Sequence, residues 1–309
     1  MPITPAQKCA SVDLAALTYS AETNTANREV EIRARLAEIP AKANGPWTMV
    51  WGPGEVEGIV AYIALCKDRT TYAMVLGGSA HQIKAHEFIY DWLLNREMFR
   101  QVPWRFPSGN AVKVSAGMHE ALAYVCMLTD RTTQTGVLDY FRAVVAGNGS
   151  LHLLVTGHGL GGALSQLVAQ WLRYQFVDLD EQPDINILPL TFGAPTIGNQ
   201  QFAMLFERTF PTNYALVNTL DIVPMAWWNL DRIQRMYPRP SQSIAEFGVS
   251  IAGLLALYKD SLAAAYKPVI APPPEMFSGW MPSQPNKFEH TMFENHAIAT
   301  YKEHITLAM

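Results

Sequence analysis

Two different patterns of hydrophobic residues follow each other in the middle of the chain. Residues 151–156 form a short, mostly apolar run, which indicates a buried strand. After a glycine-rich stretch, apolar residues recur at intervals of three and four positions, at Leu164, Leu167, Val168, Trp171 and Leu172. That spacing is typical of a helix with one buried face. The pattern therefore predicts a strand, a tight turn and a helix, in that order.

The same two patterns alternate along most of the sequence. A helical region is expected over about 5–38, and further helices near 117–128, 135–147 and 199–208. Strands are expected near 47–51, 58–66, 71–76, 112–115, 185–192 and 214–219. This alternation predicts an α/β fold in which helices cover both faces of a mostly parallel central sheet. The Pro-rich segment 268–285 is interpreted as a surface excursion.

Composition excludes several classes of protein. The 309 residues have a formal net charge of −4, so no basic surface for nucleic acid is expected. Cys9, Cys66 and Cys126 are an odd number at wide spacing, which predicts buried free thiols and no disulfide framework. The apolar stretch 247–258 is too short to span a bilayer. No signal peptide is visible, which favours a cytoplasmic protein or one exported by a non-classical route.

The turn between the central strand and helix resembles a nucleophile elbow, G-x-S-x-G. Gly157 and Gly161 occupy its glycine positions, where the strand and helix backbones approach too closely for a Cβ. Gly159 stands where the motif carries its serine. Ser165 is no substitute, because six helical residues place it roughly 9 Å further along the helix axis. The frame of a serine hydrolase is therefore predicted without its attacking oxygen.

An acid and a base follow the elbow in the chain order of the α/β-hydrolases. Asp221 comes at the end of a predicted strand, where the ligand sites of open α/β sheets lie. His296, expected at the start of a C-terminal helix, is the favoured base, and His290 is the competing candidate. His304 is interpreted as a surface residue.

Together these pieces resemble the class 3 lipases, the fungal-lipase-like branch of the α/β-hydrolases. The elbow reads Val155-Thr-Gly-His-Gly-Leu-Gly-Gly-Ala-Leu164, and the next strand ends in Thr191-Phe-Gly-Ala-Pro-Thr-Ile-Gly-Asn199. Asp221-Ile-Val-Pro224 follows, with weaker matches at Val114-Ser-Ala-Gly-Met118 and at His296 with Tyr301. A single elbow motif is only moderately specific, but the ordered set over about 71–301 is highly specific.

The resemblance implies a role for each matching position. Asp221 would be the acid and His296 the general base of a Ser-Asp-His triad whose nucleophile position holds Gly159. The backbone N–H groups of Ser79 and Leu160 would form the oxyanion hole. Gly77 replaces the arginine of the family's R-G-T signature, so support of the oxyanion loop is expected to differ.

The resemblance also implies an architecture. It predicts a single α/β-hydrolase domain over 1–309, a candidate lid at 80–96, and a helical, cap-like insertion at 225–290. The lid carries an apolar face suited to covering the site and binding acyl chains, formed by Phe88, Ile89, Trp92 and Leu93. Opening of such a lid would bring the protein into contact with a lipid surface, without a transmembrane segment.

The family hydrolyses carboxylic esters of lipids, of the triacylglycerol or phospholipid class, and uses no cofactor. No metal site is predicted either, because His81 and His86 lack a third ligand nearby. With Gly159 in place of serine, the chain is expected to bind such esters without hydrolysing them. It is then either an inactive variant of an active lipase or a natural pseudoenzyme that binds lipid or a protein partner.

A second hypothesis comes from another class, the dinucleotide-binding oxidoreductases. Gly157, Gly159 and Gly162 also satisfy G-x-G-x-x-G between a strand and a helix. That fingerprint needs an acidic residue at the end of the next strand, where it binds the ribose. The next strand is followed by Gly193 and Ala194 instead, which favours the hydrolase.

Overall fold

The computed structural model describes residues 2–19, 25–78, 100–106, 111–176, 184–236, 265–280 and 288–308. The α-helices in these ranges are α1 (Pro5–Ala16), α2 (Thr25–Glu38), α3 (Ala116–Met127), α4 (Val137–Asn148), α5 (Leu160–Gln175), α6 (Gln200–Thr209), α7 (Leu230–Met236), α8 (Phe288–His296) and α9 (Ile298–Leu307). The strands are β1 (Trp47–Val56), β2 (Ile59–Cys66), β3 (Thr71–Gly77), β4 (Gln101–Pro103), β5 (Lys113–Ser115), β6 (Ser150–His158), β7 (Asp184–Phe192), β8 (Tyr214–Asn218) and β9 (Glu275–Phe277).

Most of the strands form one central sheet in the order β1-β2-β3-β6-β7-β8-β9. The first three are antiparallel neighbours. Every pairing from β3 across to β9 is parallel. The predicted α/β architecture with a mostly parallel sheet is therefore confirmed.

Apolar side chains of the sheet pack against helices on both faces. Along β6, Leu153 and Val155 belong to the core on one face and Leu154 to the core on the other. Helices α3, α4 and α5 contribute to the first core, and α1 and α9 to the second. The apolar stripe predicted for α5 is buried throughout, as its helical period requires.

The parallel strands carry the candidate residues to one edge of the sheet. β3 is followed by Gly78, β6 by Gly159, β7 by Gly193, and β8 after two residues by Asp221. Because parallel strands end at the same edge, residues far apart in sequence come together there.

Three local expectations differ from the structure. The Pro-rich segment contributes β9, which pairs with β8 at the edge of the sheet. His296 ends α8 and does not begin a helix, because Ala297 has an extended backbone (φ −58°, ψ 135°) that separates α8 from α9. Cys9 and Cys66 are buried free thiols, but Cys126 is exposed.

Two predicted features lie wholly or partly outside the described residues. The lid at 80–96, with Phe88, Ile89, Trp92 and Leu93, is outside them, as is Ser79. Of the cap-like insertion at 225–290, the described parts include α7 and β9. No helix within the described ranges is both long and apolar enough to cross a membrane.

Candidate active site

Gly159 lies in a sharp turn between β6 and α5. Its backbone has φ +56° and ψ −126°, a conformation that is strained for a residue with a side chain. Its N–H donates to the Phe192 carbonyl of β7 at 2.9 Å, and its carbonyl accepts from the Ala163 N–H at 3.1 Å. Backbone hydrogen bonds on both sides therefore hold this turn, whatever side chain position 159 carries.

The flanking glycines are required by the close approach of three backbones. A Cβ on Gly157 would lie 2.4 Å from the backbone of Gly161. A Cβ on Gly161 would lie 2.2 Å from the carbonyl oxygen of Leu76 on β3. Both distances are far shorter than any normal contact, so the elbow needs glycine at both positions.

The predicted acid and base lie in direct contact. His296 Nδ1 is 2.7 Å from Asp221 Oδ2. The fully buried Asp221 also accepts from the Tyr301 hydroxyl at 2.6 Å and from the Val223 N–H at 2.9 Å. Burial, and then the neighbouring Asp221, raise the pKa of Tyr301 well above its ordinary value, so its hydroxyl stays protonated and donates. Both carboxylate oxygens are thus held, which sets the orientation of Asp221 toward the imidazole.

Position 159 faces the other nitrogen of the same imidazole. A Cβ built on Gly159 would lie 2.8 Å from His296 Nε2 and 3.9 Å from the Tyr19 hydroxyl oxygen. With Nδ1–H donating to Asp221, a neutral His296 has its lone pair on Nε2, directed at this position. The structure therefore brings together Gly159, Asp221 and His296, which sequence analysis had placed in one site.

A second glycine, Gly193, leaves space for the Asp221 side chain in this site. Gly193, directly after β7, has φ +57°. A Cβ there would lie 2.8 Å from the Tyr301 hydroxyl and 3.0 Å from Asp221 Oδ2. The glycine of the Thr-Phe-Gly-Ala-Pro motif is therefore explained by the space that the carboxylate and the tyrosine occupy.

Leu160, a predicted oxyanion donor, is the first residue of α5. N–H groups in the first turn of a helix have no acceptor within the helix, and the helix dipole favours negative charge there. A Cβ on Gly78 would lie 2.6 Å from Leu160 Cβ, so the residue after β3 touches this helix start. Ser79, the other predicted donor, follows Gly78 in sequence and lies outside the described residues.

Comparison with known protein families agrees with this geometry. The model of the family described as Lipase (class 3) matches residues 82–229, a stretch that includes the elbow and Asp221. This stretch, just under half of the chain, is therefore similar to the class 3 lipases.

Two curated lipases match this chain over short segments. A 70-residue segment is 36% identical to Lipase ZK262.3 of Caenorhabditis elegans, and a 73-residue segment is 36% identical to Secreted mono- and diacylglycerol lipase 3 of Gibberella zeae. Each match covers 23% of this chain, but 19% and 22% of the respective relatives. The matched segments thus span about a fifth of the length of these proteins.

The crystal structure of M37 lipase superposes on nearly the whole of this chain. The TM-score is 0.77, over 96% of this chain and 91% of that one, at 22% sequence identity. The likeness shows that the two proteins share the α/β-hydrolase fold.

Two buried residues pair the loop of the predicted acid with the helix of the predicted base. Asn218, at the end of β8, donates from Nδ2 to the Asn295 carbonyl at 2.9 Å and to Asn295 Oδ1 at 3.0 Å. Asn218 Oδ1 accepts from the N–H groups of Leu220 at 3.0 Å and Gly279 at 2.7 Å. Neither asparagine belongs to a motif that predicts a role for it. The one available signal was their position, three residues before Asp221 and one before His296.

Two further residues lie on the elbow side: His158, which the sequence predicts as a structural residue of the elbow, and Tyr19, which has no signal in the sequence. His158, directly before Gly159, places Nε2 2.7 Å from the His296 carbonyl oxygen. Its Nδ1 lies 2.7 Å from the hydroxyl oxygen of Tyr19. Burial, and then the neighbouring His296, lower the pKa of His158 well below its ordinary value, so this imidazole is neutral.

The competing candidates lie elsewhere. His304 stacks on Phe277 with ring centroids 4.2 Å apart, and its Nε2 is 3.9 Å from Glu275 on β9. The Ser165 hydroxyl is buried and donates to the Gly161 carbonyl at 2.8 Å, which gives it a structural partner within α5.

The side chain of His290 is outside the described part of the chain, as are His81 and His86. Among the described residues, no group of three or more His, Cys, Asp or Glu side chains is arranged to hold a metal ion.

Proposed function

We propose that this protein binds carboxylic esters of lipids at the edge of the sheet where Gly159, Asp221 and His296 meet. One observation carries the proposal: a Cβ on Gly159 would lie 2.8 Å from His296 Nε2, while Nδ1 of the same ring lies 2.7 Å from Asp221 Oδ2. This is the order of contacts in a hydrolytic triad, in which the nucleophile faces one ring nitrogen and the acid holds the other. The similarity of residues 82–229 to the class 3 lipases supports an ester as the ligand.

The roles follow from the chemistry of acyl transfer. A serine hydroxyl at position 159 would attack the ester carbonyl while His296 Nε2 accepts its proton. The Leu160 N–H, with that of Ser79 as its proposed partner, would stabilise the oxyanion. His296 would then return the proton to the leaving alcohol, and water would release the acid by the same route. Asp221 would hold the ring and stabilise its protonated form.

Gly159 removes the first of these steps, and the later steps cannot follow because they act on the acyl-enzyme; Asp221 and His296 themselves remain in place. It has no oxygen that an acyl group can be transferred to, so an ester held at this site stays intact. Loss of the serine in a serine hydrolase lowers turnover on the order of 10⁶-fold, while the oxyanion donors and the binding surface remain. We therefore propose that this chain retains its substrate site and is catalytically silent.

A serine fits at this position at a modest energetic cost. The φ of +56° is strained for a residue with a Cβ, which costs about 1–3 kcal/mol. The nearest atom to the new Cβ is Nε2 at the tip of the His296 ring, and no backbone atom is as close. A shift of the ring by less than an ångström would create the space for a serine.

The experiment is to replace Gly159 by serine and measure hydrolysis of p-nitrophenyl esters of graded chain length. We expect Gly159→Ser to gain turnover by several orders of magnitude over the parent. Gly159→Ala is the matched control: it introduces the same Cβ and the same strain without an oxygen, and should remain silent. A folded Gly159→Ser protein without ester hydrolysis would refute the proposed triad.

Binding is tested separately on the parent chain. A long-chain ester should raise its melting temperature more than a short-chain ester does, because the ligand binds only the native state. The proposed lid residues Phe88, Ile89, Trp92 and Leu93 and the cap-like insertion at 225–290 would supply the acyl-binding surface. We also propose that residues 1–309 form a single α/β-hydrolase domain.

A second candidate function is ligand binding without catalysis as the protein's own role. Gly159 itself favours it, since glycine is the residue with the least strain at φ +56°. A natural binding module would hold lipid, or a protein partner, in the parent chain, and a folded Gly159→Ser protein would gain no turnover. For the dinucleotide hypothesis, NAD should raise the melting temperature. We expect no such shift, since Phe192 and Gly193 stand at the end of β7, where the ribose would need an acid.

A further inference from the structure

A short turn from the N-terminal part of the chain reaches the candidate active site. The 3-10 turn Leu17–Tyr19, here called the N-terminal turn, directly follows α1 and lies well before residues 82–229, which match the family. A Cβ on Gly77 would lie 2.6 Å from Thr18 Cβ, so Thr18 fills the space beside this glycine at the end of β3. Tyr19, the next residue, contacts the elbow.

The hydrogen bonds from Tyr19 define the state of His158. Because His158 Nε2 lies 2.7 Å from a carbonyl oxygen, that of His296, it must carry the proton and donate. The neutral ring then has its lone pair on Nδ1, 2.7 Å from the Tyr19 hydroxyl, which therefore donates to it. The two hydrogen bonds therefore point the same way: Tyr19 donates to His158, and His158 donates to the backbone carbonyl of His296.

The hydrogen bond from His158 is accepted by the His296 carbonyl, which lies at the end of α8. His296 ends α8, and carbonyl groups in the last turn of a helix lack an N–H partner within it. His158 supplies that partner, and its ring lies against the His296 ring with centroids 4.5 Å apart and planes inclined by 34°. His158 therefore contacts both the backbone carbonyl and the imidazole ring of His296.

We propose that Tyr19 is a positioning residue of the site: its hydroxyl orients His158, and His158 in turn holds His296 with Nε2 directed at position 159. The catalytic consequence rests on the proposed function, but the orientation of the two imidazoles does not. Tyr19 as a whole residue is 38% exposed, while its hydroxyl oxygen lies 2.7 Å from His158 Nδ1.

The first experiment uses the parent chain and needs no activity. In ¹⁵N NMR of the imidazole groups, Tyr19→Phe should shift the Nδ1 resonance of His158 and disturb the signals of His296. Tyr124→Phe is the matched control, because it removes a hydroxyl that donates to Glu120 on the exposed face of α3. Unchanged resonances of both histidines in a folded Tyr19→Phe protein would overturn the proposal.

The second experiment uses the Gly159→Ser background. Tyr19→Phe should lower kcat roughly three- to tenfold, the effect of one lost hydrogen bond, with KM changed less than twofold. Tyr124→Phe should leave both constants unchanged. A residue that only stabilises the fold would lower the melting temperature and spare kcat, and that result would contradict a positioning role. If Gly159→Ser shows no hydrolysis at all, the proposed function fails, and the NMR result still decides the role of Tyr19.

Discussion

The candidate site has two halves that meet at His296 Nε2: the elbow, Gly157–Gly161, and the segments around the proposed acid Asp221 and the proposed base His296, here called the acid–base loops. The two halves are built in opposite ways. The elbow depends on the absence of side chains, since Gly157 and Gly161 leave no space for a Cβ against neighbouring backbone. The acid–base loops depend on buried polar side chains: Asp221 is held by Tyr301, and Asn218 is paired with Asn295. One half of the site is a backbone shape, and the other is a hydrogen-bond network.

This difference explains how the site tolerates glycine at position 159. The backbone hydrogen bonds of Gly159 to Phe192 and Ala163 do not involve a side chain, so the elbow keeps its shape without the serine oxygen. In the acid–base loops each polar side chain satisfies others that are equally buried, so no member can be removed without leaving an unpaired group. The two halves should therefore respond differently to substitution.

The largest effect is expected where a side chain is added to the elbow. Gly161→Ala would place a Cβ 2.2 Å from the Leu76 carbonyl oxygen, and both β3 and α5 are too tightly packed to separate. We expect a loss of about 4 kcal/mol or more in the free energy of unfolding, measured by urea denaturation.

Gly147→Ala provides the control for this substitution. Gly147 lies within α4, and a Cβ there would meet nothing within 4 Å. Alanine should stabilise this helix by roughly 0.5–1 kcal/mol because of its higher helix propensity. Equal effects of the two substitutions would show that the elbow is not limited by space.

A smaller loss is expected when a side chain is removed from the acid–base loops. Asn218→Ala would leave the N–H groups of Leu220 and Gly279 and the carbonyl of Asn295 without their present partner. The expected loss of stability is about 3 kcal/mol, and in the Gly159→Ser background kcat should fall more than KM rises. Asn186→Ala, on β7 and partly exposed, should change neither. A fully stable, fully active Asn218→Ala protein would remove the distinction between the two halves.

The parts of the candidate site that have a local signal can be predicted from the sequence. The elbow was predictable because a strand, two spaced glycines and an amphipathic helix follow one another within about twenty residues. Asp221 and His296 were predictable from the motifs around them and their order in the chain. The prediction that His296 begins a helix is wrong, since His296 ends α8. The break between α8 and α9 is the single extended residue Ala297, and no glycine or proline marks it in the sequence.

The parts that escaped prediction depend on contacts between distant segments. Tyr19 and His158 are 139 positions apart, and Asn218 and Asn295 are 77 apart. No periodicity links such residues, and a tyrosine after a helix or an asparagine after a strand is ordinary in sequence. β9 was missed because it has three residues inside a Pro-rich segment, and the strand depends on pairing with β8.

The smallest expected effect tests the residue that links the two halves. His158 precedes the elbow glycine, yet it donates to the His296 carbonyl, accepts from Tyr19, and lies against the ring of Tyr301. Its pKa in the folded protein is far below that of an unfolded histidine, near 6.5. The unfolded state therefore binds more protons as the pH falls below about 6.5, so stability must decrease on acidification.

For this one group the loss between pH 7 and pH 5 is at most about 2 kcal/mol, a limit set by the pKa of the unfolded histidine. The measurement compares urea denaturation of the parent and of His158→Asn at pH 7, 6 and 5. His158→Asn should be less stable at pH 7, where its hydrogen bonds are lost, but its stability should fall less steeply toward pH 5. His119, whose pKa is lowered by desolvation and then by Arg105, titrates in both proteins and cancels from the difference. Equal pH slopes would mean that His158 is not held neutral between the two halves, and that the acid–base loops are positioned without it.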